Sequence, residues 1–261
     1  MQYDVEHLAA DLKNLGVQAG DILLVHCGFR NIRAKSISTV IDALLQVLTG
    51  KGTLVMPSFP GGSEFFMMQS GLVFDVRTYP SQCGIITEQF RKMPGVKRSL
   101  NPGHCMAAYG RDADFILEGH EKCRVSAGWG SPFEKIIQRR GKILLIGTDH
   151  AHNTTLHYVE NTHGAPTVSA VEYFPKVITG DGRCIVVPTF PHMPGLHRNY
   201  NRVEPLLLDA KIQKNGLFGN AEARLIDAGK MNELIGDLIE KDHTFLIKRF
   251  ELENFPPVQN I

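Results

Sequence analysis

Asp149, His150, His152, His157, Glu160 and His163 fall within one short stretch of the chain, with Asn153 and Thr154 between them. Side chains of these kinds support two chemistries. In the first, a neutral imidazole, with an unperturbed pKa near ~6.5, works as a general base once a carboxylate fixes its tautomer and stabilises its cation. If a helix starts near Asn153, His157 and Glu160 become i,i+3 neighbours on one face, while His150 and His152 stay in the preceding loop. His157 is then the candidate base, and Asp149 or Glu160 the group that orients it. In the second chemistry, His150, His152, His157 and His163 supply imidazole nitrogen to a metal, and a metal-dependent hydrolase built on His150, His152 and His157 is the rival reading. Their spacing matches no helix motif such as H-E-x-x-H, so no metal is assigned.

A second feature is the loop His26-Cys27-Gly28-Phe29-Arg30, which leads to a hydroxyl-rich helix start at Ser36, Ser38 and Thr39. Free N–H groups and the helix dipole suit a phosphate there, and Arg30, Arg33 and Lys35 could neutralise further charge. An ordinary capped helix is the alternative. Neither G-x-G-x-x-G nor G-x-x-x-x-G-K-[ST] occurs at this loop, which supports neither a dinucleotide fold nor an NTPase. A third feature is His104, placed just after the turn Asn101-Pro102-Gly103 and counted with the catalytic candidates. Cys105 beside it would face the other side of a strand, so no thiol nucleophile is assigned.

These groups need a scaffold. Apolar spacing predicts helices over 5–16 and 36–49 and strands over 21–26, 53–56 and 142–146. That β-loop-α-β order calls for a parallel or mixed sheet covered by helices, and polar residues directly after the 142–146 strand sit where open α/β sheets place ligands. Further short helices are expected over 84–93, 112–119 and 131–140, and helical patterns over 203–212 and 230–241. Residues 168–174 and 184–187 read as strand-like, 217–228 as mixed, and 188–201 as irregular. The Gly-, Phe- and Met-rich stretch 58–80 reads as a long binding loop. No composition shift or repeat divides the chain, so 1–261 is read as one domain.

The 261 residues, 43% hydrophobic and 21% charged, describe a folded globular protein rather than a disordered one. With 28 Lys and Arg against 27 Asp and Glu, the net charge of +1 offers no general field for nucleic acid or an anionic membrane. The five scattered cysteines form no C-x-x-C pair, which argues against a disulfide framework and a thiolate zinc site. No apolar run approaches the ~20 residues of a membrane span, and a cytoplasmic location is expected.

The segments Leu-Leu-Val-His26-Cys-Gly-Phe, Gly52-Thr-Leu-Val-Met-Pro-Ser58, Arg98-Ser-Leu-Asn-Pro-Gly-His104, Asn153-Thr154-x-x-His157-x-x-Glu160 and Phe218-Gly-Asn-Ala-Glu-Ala-Arg-Leu225 together resemble the aminoglycoside 3-N-acetyltransferase family over nearly the whole chain. The resemblance implies a three-layer α/β/α sandwich with a mixed sheet, unrelated to the GNAT acetyltransferases, and direct transfer from acetyl-CoA to an amine acceptor. It implies that His157 deprotonates the acceptor amine, and that Asn153, Thr154 and His150 lie near the substrate. It also implies that the 26–29 loop and the start of the following helix (Arg33, Ser36, Ser38, Thr39) take coenzyme A, with Ser81 and the peptide groups near Gly84 close by. A homodimer is what the family suggests. The chain departs from the family where resistance enzymes carry a glycine pair, here Ile32-Arg33-Ala34-Lys35, and a His-Pro, here Asn101-Pro102. A pocket with few acids near 57–79 and with Arg30, Arg33, Lys35, Arg198 and Arg202 as neighbours would suit a less cationic or phosphorylated amine, such as an amino sugar. A coenzyme A-binding protein without catalysis is the remaining alternative.

Overall fold

The computed structural model describes residues 2–248. Helix α1 (Val5–Leu15) is capped by Asp4, whose carboxylate accepts from the His7 N–H, and ends at Gly16 in the left-handed region. Strand β1 (Ile22–Cys27) and helix α2 (Ile37–Leu48) follow, then β2 (Thr53–Pro57), α3 (Glu64–Gln69), β3 (Val73–Asp75) and α4 (Ile85–Phe90). The middle of the chain supplies β4 (Lys97–Arg98), β5 (Met106–Gly110), α5 (Ala113–Leu117), α6 (Pro132–Gln138), β6 (Lys142–Ile146) and α7 (Thr155–Thr162). Strands β7 (Lys176–Ile178) and β8 (Cys184–Val186) precede α8 (Val203–Asp209), β9 (Gln213–Phe218), β10 (Ala221–Asp227) and α9 (Ala228–Lys241).

Seven strands form one mixed sheet in the order β4-β5-β2-β1-β6-β10-β9. Its centre is parallel, β2-β1-β6, and its flanks are antiparallel. The central strands carry unbroken apolar runs, 22–25, 54–56 and 143–146, because both faces are covered. Leu23, Val25, Leu54, Met56, Leu144 and Ile146 face a layer holding α1, α2 and α4. Ile22, Leu24, Val55, Ile143 and Leu145 alternate to the opposite face, under α5 to α9. At about 1.5–3 kcal/mol for each fully buried aliphatic side chain, these two cores fix the strand register.

Two expectations are corrected. The stretch 58–80 is not one loop: Glu64–Gln69 is helical, and Val73–Asp75 pairs with β7 in a separate three-stranded sheet, β3-β7-β8. Residues 168–174 form no strand; Val168 and Tyr173 make only isolated bridges, to His192 and Thr189. The mixed stretch 217–228 resolves into the end of β9 and the hairpin strand β10. No helix among the described residues is long and apolar enough to cross a membrane.

Candidate active site

Strands β1 and β6 run parallel and end together, so the residues after Cys27 and after Ile146 meet at one rim. Only glycine fits the meeting point: a Cβ on Gly28 would lie 2.8 Å from the Gly147 carbonyl oxygen, and one on Gly147 would lie 2.7 Å from that of Gly28. Beside them opens a cavity of about 530 Å³ lined by His26, Cys27, Phe59, Gly62, Cys83 and Thr154, among others. Thr154 lies one turn before His157.

His157 reaches its carboxylate through a hydroxyl. The Tyr200 phenol donates to Glu160 Oε2 at 2.7 Å and sits 2.8 Å from His157 Nδ1. Its one proton is committed to Glu160, so the His157 bond must be Nδ1–H donating to the phenol oxygen. Glu160 Oε2 also lies 3.4 Å from His157 Nδ1 and 3.4 Å from Arg198 Nε. Nε2 of His157 is left with a lone pair and no hydrogen-bond partner among the described residues. Burial, and after it His192, pushes His157 down to about 4, against the opposing pull of Glu160. Burial raises the Glu160 carboxyl, but His157, Arg198 and Tyr200 outweigh it and hold the group below its usual range. At neutral pH the pair is therefore a carboxylate and a neutral imidazole.

A second arrangement of the same kind lies alongside. Ser126 Oγ donates to Glu64 Oε1 at 2.5 Å and sits 2.8 Å from His104 Nδ1, which fixes His104 as the Nδ1–H tautomer too. Glu64 Oε2 accepts from the backbone N–H of His192 at 2.9 Å and from its Nδ1 at 2.6 Å. The rings of His104 and His157 are 5.1 Å apart, and His192 is 4.4 Å from His157. His120 holds the Ser126 carbonyl from below, Nε2 to oxygen, at 2.7 Å.

Glu64, His104 and His192 could present three ligand atoms within 4.8 Å of one another. Their hydrogen bonds are already directed otherwise. Asn161 Nδ2 donates to the Ala127 carbonyl at 2.9 Å and to His192 Nε2 at 3.0 Å, while its Oδ1 accepts from Thr167. His192 Nε2 is thus an acceptor, its Nδ1 carries the proton, and a metal at Nδ1 would leave Nε2–H facing an amide donor.

The sequence model of the aminoglycoside 3-N-acetyltransferase family matches residues 24–240. The chain belongs to that family. It is 33% identical over 235 residues to aminoglycoside N(3)-acetyltransferase IV of Salmonella sp, spanning 87% of this chain and 84% of that protein. The aminoglycoside acetyltransferase AAC(3)-IVa, in a histidine-to-alanine variant in complex with a gentamicin, has the same fold at TM-score 0.82 and 29% identity, over 95% of this chain and 93% of that one. AAC-IIIb in binary complex with CoASH shares the fold alone, at TM-score 0.80 and 24% identity, over 92% and 97% of the two chains. As an aminoglycoside 3-N-acetyltransferase family member the chain is an acyltransferase, on an α/β sandwich distinct from the GNAT fold.

Within this family member, the residues singled out by sequence separate into two groups. His157, Glu160 and His104 converge, and His26, Cys27, Gly28 and Thr154 line the adjoining cavity. Burial lowers His26 to about 3, so it stays neutral, 3.4 Å from the Thr154 hydroxyl. Asp149 does not orient His157: it caps Ala151 and accepts from Asn201, 2.8 Å away. His150 is fully buried on Gln213 and Asn153, and Asn153 in turn bonds the Thr155 N–H, so both build the helix entry rather than face a ligand. His152 turns outward to Thr148, and the three-histidine metal cluster of the rival reading does not assemble.

Phe29 packs on the core, and Arg33 is exposed with φ 59. Ser36 caps α2 through the Thr39 N–H and bonds the hydroxyls of Ser38 and Thr39. Ser81 anchors its N–H on Glu88 beside Gly84. Of the expected basic neighbours, Arg198 adjoins the site; Lys35 pairs with Asp4, and Arg202 stacks on Phe245. Sequence reasoning missed Glu64, Ser126, His192 and Tyr200. The signal for Glu64 was present, a serine at 63 and the acid itself opening the apolar run 65–68, but the glycines at 61 and 62 masked it.

Proposed function

We propose that the chain moves an acetyl group from acetyl-CoA to an amine of an aminoglycoside or related amino sugar, by direct transfer on one domain, with His157 as general base. The Glu160–Tyr200–His157 relay carries this reading, because it leaves a neutral Nε2 as proton acceptor at the ligand-binding rim of the sheet. The fit to coenzyme A rests on the glycine-lined wall at Gly28, Gly61, Gly62 and Gly147, where no side chain obstructs an extended pantetheine. Cys27 and Gly28 would border that arm. The start of α2, with no acid in its first turn and with Ser36, Ser38 and Thr39, would face the phosphates.

As the C–N bond forms, His157 accepts a proton from the amine nitrogen, and Tyr200 and Glu160 hold the resulting imidazolium in place. Glu64 places a buried negative charge behind His104 and His192, which suits a cationic aminoglycoside better than a phosphorylated amine. An intact base relay argues against a coenzyme A binder without catalysis. The test is thiol release from acetyl-CoA across an amine panel: aminoglycosides are expected to turn over and His157→Ala to lose at least ~100-fold. Full turnover by that variant would remove His157 from the mechanism.

A further inference from the structure

We infer that His104 is a second base of the reaction, which removes the first proton from the acceptor ammonium before His157 takes the second. The inference rests on the acetyl-transfer reading above. Its chemical ground is a proton count. An ammonium acceptor R–NH3⁺ and an acetyl thioester become R–NH–acetyl, a thiol and one free proton. The C–N bond forms, the C–S bond breaks, and the nitrogen sheds two protons, one ending on the thiolate sulfur and one in solvent. An ammonium has no lone pair, so the first proton must leave before attack, whereas the second leaves as the C–N bond forms. A single imidazole cannot hold both.

The structure places two equivalent acceptors side by side. Glu64–Ser126–His104 repeats the carboxylate–hydroxyl–imidazole order of Glu160–Tyr200–His157 with residues from unrelated segments. Each relay commits Nδ1–H to a hydroxyl oxygen and leaves Nε2 without a hydrogen-bond partner among the described residues. The rings are 5.1 Å apart, so one amine nitrogen can address both. His104 also touches Phe59, at 5.3 Å between rings, and Phe59 lines the cavity assigned to coenzyme A. The charged and titratable groups facing His104 are Glu64, 3.9 Å away, His157, His192 at 5.2 Å between rings, and His120 beyond Ser126. Burial holds the His104 ring well below its ordinary range, and Glu64, the acid among these groups, opposes it by stabilising the imidazolium that forms.

The test uses the full-length enzyme, acetyl-CoA and gentamicin, and reads kcat/KM against pH. His104→Gln is expected to lose about 100-fold near pH 7 and to recover about tenfold per pH unit as the solution delivers more free amine, until the acceptor's own ammonium pKa is passed. The wild type stays level over the same range, and His157→Gln stays low throughout. Ser126→Ala, which leaves His104 Nδ1 with only the distant Glu64, is expected to follow the slope of His104→Gln with a smaller loss, and serves should His104→Gln fail to fold. A pH-independent loss in these variants, or no loss, overturns the second base. Full activity of His157→Gln would instead bring down the acetyl-transfer reading on which it rests.

Discussion

Tyr200 stands between His157 and Glu160, 2.8 Å from one and 2.7 Å from the other. The acid therefore acts on the base mainly through a phenol, with a direct approach of 3.4 Å as the weaker route. Tyr200→Phe removes the acceptor of His157 Nδ1–H and keeps the ring packing. One charge-assisted hydrogen bond is worth about 1.5–3 kcal/mol, so kcat/KM is expected to fall between roughly tenfold and 100-fold. Steady-state kinetics of the variant check it, and an unchanged kcat/KM would mean that the direct Glu160 contact suffices.

Much of this scaffold was legible beforehand, because it is local. The strands near 22, 53 and 142 each contain a run of three or four consecutive apolar residues, and α1 and α2 carry their own caps at Asp4 and Ser36. His157 and Glu160 were legible for the same reason, being one helical turn apart. Tyr200, Ser126 and His192 were not, since each reaches the site from an irregular segment whose position depends on packing across the whole domain. Asp149 shows the converse error. It is close to His157 in sequence, but its carboxylate is used at Ala151 and Asn201, on the other side of the helix entry.

Burial and His192 hold His157 near 4 even though Glu160 draws it upward. The base is neutral, and so competent, at every pH above that value. In the wild type kcat/KM is expected to stay level from neutral pH down to about pH 5 and to fall only below it. Glu160→Gln removes an upward influence, so its acid limb should move to lower pH while the plateau drops. An acid limb near pH 6.5 in the wild type would show the ring to be solvated rather than buried.

Gly103 precedes His104 and has no room for a side chain. A Cβ there would collide with Glu64 Oε1 and lie 2.8 Å from Ser126 Oγ. Gly103→Ala must therefore push apart the Ser126–Glu64 bond that fixes the His104 tautomer. Breaking a buried polar network of this kind costs about 1–3 kcal/mol. Urea unfolding is expected to show that loss, together with a fall in kcat/KM. A variant of native stability and full activity would mean that the α3 helix yields freely.

Asn161 decides whether the Glu64, His104 and His192 group can take a metal. Its amide donates to His192 Nε2 and to Ala127, which leaves the His192 proton on Nδ1 against Glu64. Dialysis against a chelator is expected to change neither activity nor melting temperature. Asn161→Asp reverses the demand, since a carboxylate accepts from Nε2–H and frees Nδ1 for zinc. That variant should bind zinc more tightly than the wild type does. Activity lost on chelation and restored by zinc in the wild type would show that the proton on Nδ1 is replaced by the ion.

His120 links the site to acid stability. It is fully buried, with Nδ1 2.8 Å from Ser99 Oγ and Nε2 2.7 Å from the Ser126 carbonyl. The Ser126 carbonyl only accepts, so His120 is the Nε2–H tautomer and takes the Ser99 proton at Nδ1. A second proton would break that bond, and burial lowers the group to about 4 from an ordinary 6.5. In the unfolded chain the same ring protonates near 6.5. Between the two values the unfolded state binds more protons than the folded one, so stability is complete above about pH 6.5 and declines as pH falls towards 4. At about 1.4 kcal/mol per unit, this one ring accounts for roughly 3 kcal/mol of that decline. His120→Gln should be less stable at about pH 7, having lost the geometry of both bonds, yet show a shallower fall between about pH 6.5 and 4 in urea unfolding. An equal slope in variant and wild type would assign the acid sensitivity to other buried histidines, His26 first among them.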